Sequence, residues 1–406
     1  MTLWQGVPRT DEAKAVYAAA EADRAARPER YRLGAESAGA VVARALRDAD
    51  EALLGDPSEW RDGLERYLAS AEQDGRLNAV GVKTALTTAT TRLRARISMA
   101  RHLARHPETA ERDLLPPIVI VGGWRTGTTF LFRLLATDPR LRAPLPAELS
   151  TPWRFAGVEG KEREALLDSG SGAHGLLHLL NPTLEAVHES GSRLPEECVL
   201  AMGTDFRNWG FNSTMRLDGY TDWLAKQDLS TSYARHRETL QILDQGDGRR
   251  WLLKAPAHLA ELPHLAAAFP GACIVRLHRD IVETIASGAS LFAVFRSTYS
   301  DDVDARDVGR FQADQTELWL RRAAAFHNPS AALVDVRYQD LVTATAPVLR
   351  RIYAAVGIEP PADLDGMIAR YHAARPRHAK GVHRYSAAEF GLDEDELRRR
   401  FAFASP

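Results

Sequence analysis

Ile118-Val-Ile-Val-Gly-Gly-Trp-Arg-Thr-Gly-Thr-Thr129, followed by Phe130, Leu131, Leu134 and Leu135, is the stretch on which the fold turns. Its first four residues are apolar and β-branched, the composition of a strand buried on both faces, and Pro116-Pro117 marks where that strand begins. The glycines break the run, and the apolar positions after Thr129 return at helical spacing. Strand, glycine loop and helix in that order direct several backbone N–H groups and the positive end of a helix dipole into one small volume, which suits a phosphate or sulfate. Trp251-Leu-Leu253, Cys273-Ile-Val-Arg-Leu277 and Ala332-Leu-Val-Asp-Val336 read as further buried strands, each separated from the next by helix-length sequence. This alternation predicts an α/β fold with a P-loop-type central parallel sheet flanked by helices.

Residues 1–115 carry no such runs. Trp60, Leu64, Tyr67 and Leu68 share one helix face, and Val82, Leu86, Leu93 and Ile97 share another, so this part is expected to form a helical N-terminal cap on an α/β domain spanning 116–406. Arg375-Pro-Arg-His-Ala-Lys-Gly-Val-His-Arg-Tyr385 departs from the alternation and reads as a basic loop, 375–392, ahead of a charged terminal helix.

Composition narrows the function. The chain has 406 residues, enough for one large α/β domain with additions. Its 52 Lys and Arg nearly balance 54 Asp and Glu, for a net charge of −2, so no overall field favours nucleic acid or an anionic membrane, and any anion site must be local. Two cysteines, a polar start and no apolar run of the roughly 18 residues a membrane helix needs point to a reducing cytoplasm and no stable membrane insertion. Gly122 and Gly127 have the spacing of the nucleotide-hydrolase loop G-x-x-x-x-G-K-[ST], but Thr128 stands at its Lys position and the cation has moved to Arg125. A P-loop kinase would need that Lys and a set of Mg²⁺ ligands, so ordinary ATP or GTP chemistry is disfavoured.

With these residues in view, the sequence resembles the sulfotransferases that use PAPS (3'-phosphoadenosine 5'-phosphosulfate). Gly-Trp-Arg125-Thr-Gly-Thr-Thr129 is similar to their phosphosulfate loop, in the branch where Arg replaces the Lys of the cytosolic enzymes. Leu277-His-Arg279-Asp-Ile-Val-Glu-Thr-Ile-Ala-Ser287 resembles the 3'-phosphate motif, a strand-end Arg with a Ser eight residues later. Trp251-Leu-Leu-Lys254-Ala-Pro-Ala-His258 looks like the strand-end Lys and His element, with Pro256 and Ala257 altering its spacing, and Val336-Arg-Tyr338-Gln-Asp-Leu341 is similar to a Tyr-Glu-Asp-Leu element in which Gln339 stands for Glu. The resemblance covers about residues 100–395 and reaches most closely to the bacterial branch.

It implies transfer of a sulfuryl group from PAPS, without a metal, to a hydroxyl of a largely apolar small molecule such as a lipid or secondary metabolite. Arg125, Thr126, Gly127, Thr128 and Thr129 would hold the phosphosulfate, and Lys254 would reach the bridging oxygen or the transferring group. Arg279 and Ser287 would hold the 3'-phosphate, Tyr338 would lie beside the adenine, and Lys380 and Arg384 would close over the nucleotide. Sulfuryl transfer needs positioned cations and a base for the acceptor hydroxyl. Glu148 and His258 are the two candidates, with Glu148 preferred. The acceptor is expected within 148–251, where Trp153, Phe155, Phe206, Trp209, Phe211, Tyr220 and Trp223 concentrate. Glu196 and Glu197 read either as substrate-orienting groups or as ordinary helix-start carboxylates. His174 and His178 are four apart but lack a third ligand, so no metal is expected there. A non-catalytic nucleotide-binding relative would keep Arg125, Arg279 and Ser287 yet could dispense with Glu148, Lys254 and His258; the presence of all three favours an enzyme. The identity of the acceptor, the fate of the sulfate ester and the oligomeric state are left open by the sequence.

Overall fold

A computed structural model describes residues 2–169, 171–328, 330–375 and 385–404. Its centre is a sheet of five parallel strands, β1 (Ile118–Gly122), β2 (Leu141–Arg142), β3 (Arg250–Lys254), β4 (Cys273–His278) and β5 (Ala332–Arg337), in the order β2-β3-β1-β4-β5. The four strands read from the sequence are all present. β2 adds a fifth, two residues held at the edge by the pairings Leu141 with Arg250 and Arg142 with Trp251. Two residues are too few to carry a period-two pattern, so nothing in the sequence announced it.

Strand alternation sends side chains to two separate cores. Val119, Val121, Leu253 and Ile274 face one side and join a core that extends to Leu64, Leu68, Leu86, Leu93 and Ile97 of the helices Arg61–Gln73 and Ala79–Arg105. Ile118, Ile120, Leu252 and Val275 face the other side and meet Leu131, Leu134, Leu135, Leu349 and Ile352 of the helices Thr128–Leu135 and Thr345–Ala355. Burial on both faces explains why β1 and β3 read as continuous apolar runs. β5 lies at the other edge; its Leu333, Asp335 and Arg337 are exposed, and Asp335 accepts hydrogen bonds from Arg276 at 2.8 and 2.9 Å. Among the described residues no helix is long and apolar enough to cross a membrane.

The aromatic residues of 148–251 do not form one open surface. Phe206, Phe211 and Tyr220 surround Tyr67 of the N-terminal helices with ring centroids 5.0–6.2 Å away, and all four are buried. Trp209 donates its indole N–H to Glu261 at 2.9 Å, and Trp223 donates to Asp62 at 2.7 Å. These rings belong to the core because each large aromatic buried there contributes about 1.5–3 kcal/mol.

The register fixes where chemistry can occur. Ile120 pairs with Lys254 and Gly122 with Leu277, so the carboxyl ends of β3, β1 and β4 lie side by side, the edge at which open α/β sheets bind ligands. Trp124, in the loop leaving β1, packs on the helix Ile281–Tyr299 with its ring 5.2 Å from Phe292, and a Cβ on Gly288 would meet the indole at 2.2 Å. Gly288→Ala should therefore displace Trp124 and, despite the better helix propensity of Ala, cost about 1–3 kcal/mol in urea unfolding. An unchanged unfolding midpoint would show that the close approach is not a constraint.

Candidate active site

The loop after β1 is shaped by two residues in left-handed backbone. Gly127 has φ +92°, and a Cβ there would sit 2.8 Å from Leu341. Arg125 has φ +60°, a conformation that non-glycine residues rarely adopt and that costs about 1–3 kcal/mol. Thr126 donates its hydroxyl to the Gly123 carbonyl at 2.7 Å and closes the turn. The helix Thr128–Leu135 then starts at Gly127 with no side chain capping its first N–H groups, so those donors stay available to an anion. Arg125 is exposed, and among the described residues its guanidinium has no ion-pair partner.

Arg279 ties this loop to the neighbouring strands. It leaves the end of β4, donates to the Arg125 carbonyl at 2.8 Å, pairs with Glu283, and lies 4.2 Å from the centroid of the Tyr338 ring at the end of β5. Ser287 lies two turns further along the helix Ile281–Tyr299 and is nearly buried. The loop, Arg279 and Tyr338 thus share one rim, with Ser287 on the helix that Arg279 introduces.

Lys254 at the end of β3 is 2% exposed. Its ammonium donates to Glu197 at 2.7 Å and to the Thr129 hydroxyl at 3.4 Å, and lies 5.7 Å from the Phe132 ring centroid. Beside it, Glu196 accepts from the Glu197 backbone N–H at 2.9 Å and lies 3.6 Å from His188. Burial works to raise the Glu196 carboxyl, but His188 and Lys254 outweigh it and bring the pKa down to about 2. Burial works to lower His188, and the Glu196 carboxylate outweighs it, so this imidazole holds its proton above the usual range. Two carboxylates and two cations therefore cluster together, and Lys254 links them to Thr129. The sequence offered Glu197 only as an orienting or helix-start group, because nothing in its spacing links it to Lys254, 57 positions away.

The two residues first considered as bases occupy other settings. Glu148 is 1% exposed; one oxygen meets Arg163 at 2.8 Å and Arg142 at 3.5 Å, and the other accepts the Leu145 N–H at 2.9 Å. It adjoins a cavity of about 360 Å³ at the β2 edge, lined also by Glu159 and Arg249, a charged lining unlike the apolar one expected of the acceptor. His258 is wholly buried, with Nδ1 2.8 Å from the Tyr233 hydroxyl and its pKa pushed well below the usual value by burial. The structure brings Arg125, Thr126, Gly127, Thr128, Thr129, Lys254, Arg279 and Tyr338 together at the carboxyl ends of the strands, with Ser287 on the adjoining helix. It does not give Glu148 or His258 a free, exposed basic atom. Lys380 and Arg384 lie outside the described residues.

Comparison with known proteins gives this geometry a context. Residues 116–362 match the model of a family described as the sulfotransferase family. The crystal structure of sulfotransferase STF1 from Mycobacterium tuberculosis superposes with a TM-score of 0.75 at 26% identity, over 90% of this chain and 98% of that one. Sulfotransferase STF9 from Mycobacterium avium gives 0.75 at 23% identity over 92% and 96%, a likeness of fold. In sequence, the omega-hydroxy-beta-dihydromenaquinone-9 sulfotransferase Stf3 of Mycobacterium bovis is 26% identical over 279 residues, 63% of this chain and 65% of the relative's length.

The His188–Glu196 pair gives stability a definite pH window. A raised His188 contributes fully below its unfolded value near 6.5 and loses that contribution as pH rises through the folded value. A depressed Glu196 contributes fully above 4.5 and loses its contribution as pH falls toward about 2. Both terms are complete only between pH 4.5 and 6.5. Glu196→Gln should accordingly lower Tm most within that window and less at alkaline pH; a deficit constant with pH would contradict the pairing.

Proposed function

The chain belongs to the sulfotransferase family, and from that membership we propose that it transfers a sulfuryl group from PAPS to a hydroxyl on a long, largely apolar, lipid-like molecule. The observation that carries this reading is the convergence of Arg125, Lys254 and Arg279 on one rim, supplied by the ends of three adjacent strands. The fit to the donor rests on the uncapped amides after Gly127 and on the guanidinium of Arg125, which has no ion-pair partner among the described residues. An Arg fork with clustered amides suits the planar oxygens of phosphate and sulfate. Arg279 and Ser287 would bind the 3'-phosphate that distinguishes PAPS from ATP, and Tyr338, already stacked under Arg279, would face the adenine.

PAPS supplies an activated sulfuryl group; the protein supplies charge and a base. We assign the base to Glu197 in place of Glu148 and His258, since Glu197 is the carboxylate in contact with Lys254 and through it with the loop. The Lys254 ammonium lies between Glu197 and Thr129. Turning toward the leaving phosphate oxygen would stabilise the charge that develops there and release Glu197 to take the acceptor proton. The acceptor oxygen would then bond to sulfur as the bond from sulfur to the phosphate oxygen breaks. A lipid-like alcohol is supported by the name of the Mycobacterium bovis relative, and a cytoplasmic setting by the two free, buried cysteines.

Labelled PAPS offered with ω-hydroxylated quinones and long-chain alcohols should yield a sulfate ester and 3',5'-adenosine bisphosphate. Glu197→Gln should bind PAPS as the parent does but lose about 10²–10⁴-fold in turnover, the usual contribution of a general base. Full turnover in Glu197→Gln would remove the base assignment, and failure of any alcohol to accelerate PAPS breakdown would remove the acceptor class. Arg279→Ala should weaken PAPS by about 10- to 100-fold through loss of a charge-assisted contact.

A further inference from the structure

Behind the Lys254–Glu197 pair lies a group of side chains that sulfuryl transfer does not use. Cys198 follows Glu197, His258 lies four residues beyond Lys254, and His236 comes from the helix Ser230–Leu243. The Cys198 sulfur and one nitrogen of each imidazole all lie within 4.8 Å of one another, and the three residues are wholly buried. Among the described residues, both ring nitrogens of His236 and Nε2 of His258 have no hydrogen-bond partner. An unsatisfied buried polar atom costs about 1–3 kcal/mol, and three such atoms beside a thiol call for a common occupant.

We propose that Cys198, His236 and His258 form a structural metal site for Zn²⁺, which ties the Glu197 segment to the Lys254 segment and to the helix Ser230–Leu243. Thiolate and neutral imidazole are the ligands Zn²⁺ selects, and the Cys-His₂ set supplies three of its four tetrahedral positions, with a buried water to complete the fourth. The surroundings fit this use. The Tyr233 hydroxyl lies 2.8 Å from Nδ1 of His258, which orients the ring and leaves Nε2 to face the metal, the kind of outer contact that orients metal-bound histidines. Binding would release the thiol proton to solvent and place a cation beside the Glu197 carboxylate. Because all three ligands are buried, the ion would enter as the chain folds.

The test uses the full chain folded with added Zn²⁺ and, separately, with Co²⁺, then freed of loose metal by gel filtration. The site predicts about one Zn²⁺ per chain and a near-ultraviolet thiolate-to-cobalt absorption, both lost in Cys198→Ser and the metal content lost in His236→Gln. A parent chain that retains less than about 0.1 equivalent of either ion overturns the proposal and leaves buried water as the occupant. Retention of the full equivalent by soluble Cys198→Ser also overturns it, by placing the metal elsewhere. If the variants do not fold, the Co²⁺ spectrum of the parent decides, since only a bound thiolate gives that band. The outcome is independent of PAPS binding, so a negative result here leaves the sulfotransferase reading standing.

Discussion

An ammonium group with 2% of its side chain exposed must be neutralised where it sits, and Lys254 meets that requirement with Glu197 at 2.7 Å. The rest of the site is arranged around this pair. β3 delivers Lys254 to the carboxyl edge of the sheet beside β1, and the segment before Cys198 is held so that Glu197 reaches it. Thr129, in the first turn of the helix Thr128–Leu135, completes the contact at 3.4 Å. A pair that is tight before the nucleotide arrives gives Lys254 somewhere to stay and somewhere to go. In the proposed reaction the donor's developing negative charge would compete with Glu197 for the same ammonium.

The glycine loop imposes a second constraint. Arg125 and Gly127 both hold left-handed backbone, and the strain at Arg125 is sustained by its neighbours. Trp124 is anchored against Phe292, and the Arg125 carbonyl is held by Arg279. Arg279 in turn rests on Tyr338, so the loop after β1 and the ends of β4 and β5 are one connected unit. A substitution at any of these positions should be felt at the others, because they share partners.

What the sequence disclosed was local. β1 and β3 are continuous apolar runs, β4 and β5 keep enough apolar residues to be read as strands although Leu333, Asp335 and Arg337 of β5 are exposed, and the loop between β1 and the helix Thr128–Leu135 keeps its glycines, hydroxyls and Arg within a dozen residues. The edge strand β2 was too short to show a period. Glu197 was named without its role, since its contact with Lys254 depends on how the chain from 148 to 251 folds back. The aromatic richness of that stretch marked burial correctly but not direction: Phe206, Phe211 and Tyr220 turn toward Tyr67, a partner more than 130 positions away. Glu148 and His258 were sensible by position, and only packing reveals that one is clasped by Arg142 and Arg163 and the other sealed against Tyr233.

The central claim is that the rim formed by Arg125, Lys254 and Arg279 recognises a 3'-phosphorylated adenine nucleotide carrying a 5'-sulfate. Calorimetric titration with 3',5'-adenosine bisphosphate, against ADP and against ATP with Mg²⁺, tests it most directly. Binding is expected to be independent of metal and about 100-fold tighter for the bisphosphate than for ADP, the worth of two charge-assisted contacts to the 3'-phosphate. A preference for ATP with Mg²⁺ would contradict it and turn the same loop into the anion cradle of a phosphoryl-transfer enzyme.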